Sequence, residues 1–191
     1  MSWGRQMSIS QMIAGWTLVT SVLVGSSAAA QSVEFSCPAP GTSLVISTGQ
    51  TIVFAPSAGF DCLYGSQSGQ HAVFSSIKSY SEIKGVAEKL WPLKIGNSAE
   101  AETMAEDSHR YIGTYSCVVE AHEDLVVRAG NFPAFKIVCK LIYPAFKYED
   151  RRIYWWSADL KYIVKFDFAL IEGVGAGARA PASWELVSIL R

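Results

Sequence analysis

Apolar and polar positions alternate most plainly in the C-terminal half of the chain. Tyr111, Tyr115, Cys117 and Val119 alternate with Ile112, Thr114, Ser116 and Val118. Phe135, Ile137, Cys139 and Leu141 alternate with Lys136, Val138 and Lys140. The longest such run places Tyr162, Val164, Phe166, Phe168 and Leu170 between Lys161, Ile163, Lys165 and Asp167. A period of two with one apolar face marks a half-buried antiparallel strand. The turn Ser157–Leu160 joins a strand over 151–156 to this run, and 183–190 supplies a last strand.

The first part of the mature chain reads as a meander of short strands. Residues 44–47 and 51–55 flank the turn STGQ, 60–64 follows a second turn, and 71–75 follows the polar loop GSQSGQ. A helical period occurs only between Ser79 and Trp91, where Tyr80, Ile83, Val86, Ala87 and Leu90 share one face. Ser79 with Glu82 forms a capping box, and Pro92 ends the segment. The polar, acidic stretch 97–108 reads as an exposed loop or a short frayed helix.

Nine or ten strands against one short helix have a physical consequence, because apolar strand faces must be buried somewhere. The sheet must curl on itself or around the helix, as a barrel, half-barrel or sandwich. The fold class expected is mainly β (α+β), a curved antiparallel sheet or half-barrel with one helix on its apolar face.

The first thirty residues carry a different pattern. Arg5 is the only charge before Glu34, residues 12–24 are apolar, and Ala28 and Ala30 take the small positions of an A-x-A cleavage site. A membrane span takes roughly 18 or more apolar residues, and this run is shorter. Residues 1–30 are therefore expected to be a signal peptide and 31–191 a single domain. The protein is exported on this reading, to the periplasm or the medium, with no membrane span after cleavage. Without Arg5 the 16 basic residues become 15, against 17 acids, a formal charge of −2. That balance offers no footprint for nucleic acid and no polybasic patch for lipid.

Cys37, Cys62, Cys117 and Cys139 all follow the signal, and an even count in an exported chain reads as two disulfides. Four cysteines allow three pairings. Sequence proximity favours Cys37–Cys62 and Cys117–Cys139, and the latter two sit on the apolar faces of their strands.

No familiar catalytic or metal motif stands out, and no cofactor is called for. Residues 173–178, GVGAGA, match a dinucleotide fingerprint only formally, since Pro181 and a strand-like end replace the helix it needs. His71, His109 and His122 show no metal-ligand spacing, and His122 falls in AHED, read as a turn tip. A site from Glu120, His122 and Asp124 is the metal alternative to a solvated turn. The segment RRIYWWS is the most distinctive patch. In a strand, Trp155 points with Ile153 to one face, and Tyr154 and Trp156 with Arg152 to the other.

The segments PLKIGNS, AGNFPAFKIVC, YWWSADLKYIV and ELVS resemble a run found in uncharacterised exported bacterial β-proteins. The departures, Asn131, Ala158 and Lys161, all lie at turns. The resemblance implies a half-barrel with a helix in its concavity, distantly like periplasmic lipoprotein carriers, and brings no catalytic residues. The leading expectation is a non-catalytic domain that binds an apolar or envelope-derived ligand, such as a lipid, through Tyr154, Trp156, Tyr162, Phe166 and Phe168. The alternative is a structural or assembly component of the cell envelope that docks a protein partner. A hydrolase with a dispersed site ranks behind both.

Overall fold

The computed structural model describes residues 32–57, 60, 62–64, 80–105, 111–173 and 183–190. The signal segment, the strand expected at 71–75, the Ser79 cap, His71, His109 and the glycine-rich loop beyond Gly173 lie outside them. The described chain forms one helix, α1 (Tyr80–Leu90), and eight strands. These are β1 (Ser43–Ile46), β2 (Thr51–Val53), β3 (Ser98–Ala105), β4 (Tyr111–Val127), β5 (Gly130–Tyr143), β6 (Tyr148–Ser157), β7 (Tyr162–Glu172) and β8 (Trp184–Leu190). Every pairing is antiparallel, in the order β2-β1-β8-β7-β6-β5-β4-β3. The sheet is curved and unclosed, with a helix, as the strand inventory required.

Eight strands rather than nine or ten are found among the described residues. Of the strand expected at 60–64, the described residues contribute only a bridge, Phe54 to Tyr64. The larger correction is within the stretch expected as a loop or frayed helix, where Ser98–Ala105 form β3, paired with β4 from Ser98–Val118 to Ala105–Tyr111. The reason is a period of two written in small residues. Ala99 and Thr103 are buried, while Glu100, Glu102 and Met104 are exposed. Alanine and glutamate favour helices in isolation, but pairing to a long neighbour overrides that preference.

The helix presents Val86, Ala87 and Leu90 to the core and leaves Glu88 and Lys89 in solvent. Pro92 stops it, and Asn97 Nδ2 donates to the carbonyls of Leu90 and Pro92 at 3.2 and 2.9 Å, satisfying acceptors the helix end leaves over. It lies against β3 and β4. The N-terminal segment closes the core beside it. Val33 bridges to Leu93, and Phe60, Phe35, Trp91 and Trp156 form a chain of ring contacts at 4.3, 5.0 and 5.6 Å.

Two cross-strand devices shape the sheet. The β4–β5 hairpin turns at Arg128 and Ala129, and its tip returns to β8, where Ala129 N–H donates to Leu186 O and Arg128 pairs with Glu185 at 2.8 Å. Across β3–β5, buried Gly113 leaves room for the Tyr143 ring to lie over β4 and bring its hydroxyl within 3.3 Å of Thr103 Oγ1. Both favoured disulfides form, Cys37–Cys62 and Cys117–Cys139, the second between residues directly opposite in the β4–β5 register.

Candidate functional site

The five aromatics expected to line a ligand groove belong to one core cluster, four within it and Phe168 packed against it. Tyr154 and Phe166 face each other across β6 and β7 with rings 5.0 Å apart. Trp156 meets Trp91 at 5.6 Å, Tyr162 meets Phe54 at 5.0 Å, and Phe168 lies 5.9 Å from the Arg152 guanidinium. The register shift between Trp155 and Trp156 breaks the period of two on β7 that otherwise links Phe166 to Tyr162. Around it Tyr162, Ile163 and Val164 are all buried, which strict alternation forbids. Tyr154, Trp156, Tyr162 and Phe166 are each 3 % exposed or less, and Phe168 is partly buried. The concave face is filled by the protein's own side chains.

Within that face lies a buried ionic cluster. Asp150 and Arg152 alternate along β6 on the same side as Tyr154. Arg152 Nε and Nη2 donate to the two carboxylate oxygens of Asp150 at 2.9 and 2.7 Å, and the Tyr148 hydroxyl donates to Oδ2 at 2.7 Å. Burial and then the hydrogen bond to Asp150 push the Tyr148 phenol up to about 12. Tyr115, fully buried, is raised well above the usual phenol range, by burial first and by Tyr154 next. Burial by itself would lower the Arg152 pKa, but the hydrogen bonds to Asp150 and nearby Tyr154 raise it, so the guanidinium stays charged. The sequence signal was available in EDRRIYWW, where Asp150 and Arg152 share parity with Tyr154 and Trp156.

His122 is not at a turn tip. It sits within β4 opposite Phe135, the two rings tilted at 51° with centres 4.5 Å apart, and the hairpin turn comes six residues later, at Arg128. Glu120 is taken up by Lys136 at 2.9 Å. Among the described residues no three His, Cys, Asp or Glu side chains group so as to hold a metal ion.

The convex face is ordered by cross-strand charge pairs. Glu120 on β4 meets Lys136 on β5, and Lys140 on β5 meets Glu149 on β6 at 3.9 Å. Trp155 donates from Nε1 to Glu123 at 2.6 Å and is capped by Lys165, whose Nζ stands 4.5 Å from the ring centre. These caps explain how Trp155 stays buried on an outer face.

β3 departs from this pattern. Glu100 and Glu102 face Ser116 and Thr114 on β4, neither of them a cation, and β4 is the only strand beside β3 among those described. Lys89 reaches the backbone oxygen of Glu100 at 3.4 Å, not its carboxylate. An open groove of about 480 Å³ runs along the same face, between Glu100 and Ser116 on one side and Lys140 on the other, floored by Val118 and Val138. No family model, curated protein or solved structure matches the chain.

Proposed function

We propose that the protein is an exported, non-catalytic β-domain of the cell envelope, periplasmic or secreted, that docks an extended segment of a partner protein along β3. The observation that carries this reading is the contrast between the two faces. The concave face, where an apolar ligand would have to lie, is occupied by Tyr154, Trp156, Phe166 and their neighbours. β3 instead has a strand on one side only among the described residues, β4, with Lys89 reaching one backbone oxygen, that of Glu100. A strand at the edge of a sheet presents backbone donors and acceptors, the usual template for adding a strand. The two disulfides fit an oxidising compartment.

A photoreactive residue at Glu102, compared in the protein's own cells with one at Arg151 near the middle of the convex face, tests this. A discrete adduct at 102 and none at 151 is the expected result. The same adducts at both positions, or none at 102, count against docking on β3.

A second reading, binding of an apolar ligand with an anionic head, draws on the buried Arg152, whose Nη1 has no hydrogen-bond partner among the described residues. It requires α1 or the N-terminal segment to lift from the core. Titration with oleate, followed by tryptophan fluorescence, separates the two: Trp91 and Trp156 lie where such an opening would occur, and an unchanged spectrum at saturation removes this second reading.

A further inference from the structure

We propose that the overhanging end of the β4–β5 hairpin, residues 124–133, is a strap that opens and closes the seam between β7 and β8. It stands apart from docking on β3, and the outcome of either leaves the other untouched.

Unequal strand lengths create the overhang. β4 and β5 stay paired as far as Val127 opposite Gly130, whereas β6 joins β5 only from Ala134 onward and β3 leaves β4 at Val118. Among the described residues, 124–133 is therefore a ribbon of two strands with no third beside it, and such a ribbon is marginally stable unless it packs on something. Its seat is a break in the sheet. β8 pairs with β7 at Trp184 and Glu185, and from Leu186 to Leu190 it pairs with β1 alone. Where β8 leaves β7 the strap takes over, through Ala129 N–H donating to Leu186 O at 3.1 Å and Arg128 Nε meeting Glu185 Oε1 at 2.8 Å. Val127 and Phe132 are buried in one cluster with Leu186, while Asp124, Val126 and Asn131 on the other side of the ribbon are exposed. The arginine of the ion pair is 66 % exposed, so that tie contributes little in water. Elements held by few buried contacts and exposed bonds open at less cost than the whole domain. Opening here uncovers Val127, Phe132 and Leu186, and with them the side of β8 that β7 leaves unpaired.

The test follows amide hydrogen exchange in the exported, disulfide-intact protein, with binding of the apolar dye anilinonaphthalene sulfonate as a second readout. In the wild type, the hydrogen-bonded amides within 124–132 are expected to exchange together and faster than those of 135–141, which β6 flanks. The R128E variant is expected to speed the strap amides about three- to tenfold, the range for losing an exposed ion pair and gaining a like-charge contact, and to leave 135–141 unchanged. Dye binding should rise with it, and the swap R128E/E185R should reverse both effects. In the wild type, about 0.5 M salt should act in the same direction as R128E. Strap amides that exchange only as fast as 135–141 overturn the proposal, because the hairpin end then opens only with the whole domain. Faster strap exchange in R128E without added dye binding also overturns it, since the tip then frays without opening the seam.

Discussion

Replacing Asp150 with leucine removes an acceptor of three hydrogen bonds from a site that solvent does not reach. Its side chain is 0 % exposed and that of Arg152 is 5 % exposed. The substitution therefore leaves a guanidinium in the core with neither water nor carboxylate to answer it. Breaking a buried pair in this one-sided way costs about 3–5 kcal/mol, most of it the desolvation of the surviving charge. For a domain of this size each kcal/mol shifts the melting temperature by roughly 2–4 °C, so Asp150→Leu should melt about 6–20 °C lower. The companion substitution matters more than the size of the loss. Asp150→Leu combined with Arg152→Met takes out both charges and keeps the volume, so most of the stability should return. Guanidinium unfolding with disulfides intact, on the wild type, both single variants and the double, gives the coupling energy directly. A double variant no more stable than the worse single would refute the reasoning, as would a loss below about 1 kcal/mol for Asp150→Leu. Either result would mean that water reaches this part of the concave face.

Gly113→Ala should cost about 1–3 kcal/mol by overpacking, because a new Cβ meets the Ile142 carbonyl oxygen at 2.7 Å as well as the Tyr143 ring, and a backbone atom cannot swing aside. Thermal melts read this, and a neutral result would show that Tyr143 does not lie over β4. Stability should fall at high pH. The Tyr148 phenol is raised in the folded state, so its contribution is complete below its unfolded value near 10 and is lost as pH rises through about 12. Tyr115 and Tyr162 are raised in the same direction. Phenolate absorbance at 295 nm should therefore rise together with loss of near-ultraviolet dichroism, and early, independent titration of these tyrosines would contradict the burial. Removing the Cys117–Cys139 bridge as a double alanine variant should cost about 3–4 kcal/mol by the chain-entropy estimate for a loop of 22 residues. Alkylation of the unreduced, denatured wild type should label no cysteine.

Much of this fold could be read from residue parity alone, and the exceptions share a cause. β5 and the main part of β7 announce themselves because large apolar side chains alternate with lysine and aspartate. β3 does not, because its inward positions are Ala99, Ala101 and Thr103, whose small size hides the period while the glutamates suggest a helix or loop. His122 was misplaced for a related reason. AHED looks like a turn when polar residues are taken as solvent-facing, but a register shift after Val119 sets His122 directly opposite Phe135 within the long hairpin. The site was less legible than the fold. Aromatic residues on one strand face predict burial, but they do not say whether the cover is a ligand or the rest of the chain. The register shift beside Trp155 depends on which residues pair between strands, which no local pattern records. The Asp150–Arg152 pair could have been found by asking which charged residues share parity with the largest aromatics.

The position of the second disulfide bears on how the sheet is assembled. Cys117 and Cys139 are direct partners in the longest hairpin, on the face that becomes the core. A slip of one residue between β4 and β5 would send one sulfur to the opposite side of the sheet, beyond the reach of the other. Oxidation can therefore trap only the hairpin whose inner row is already Tyr115, Cys117 and Val119 against Leu141, Cys139 and Ile137. The bond thus fastens one alignment of the hairpin and no neighbouring one.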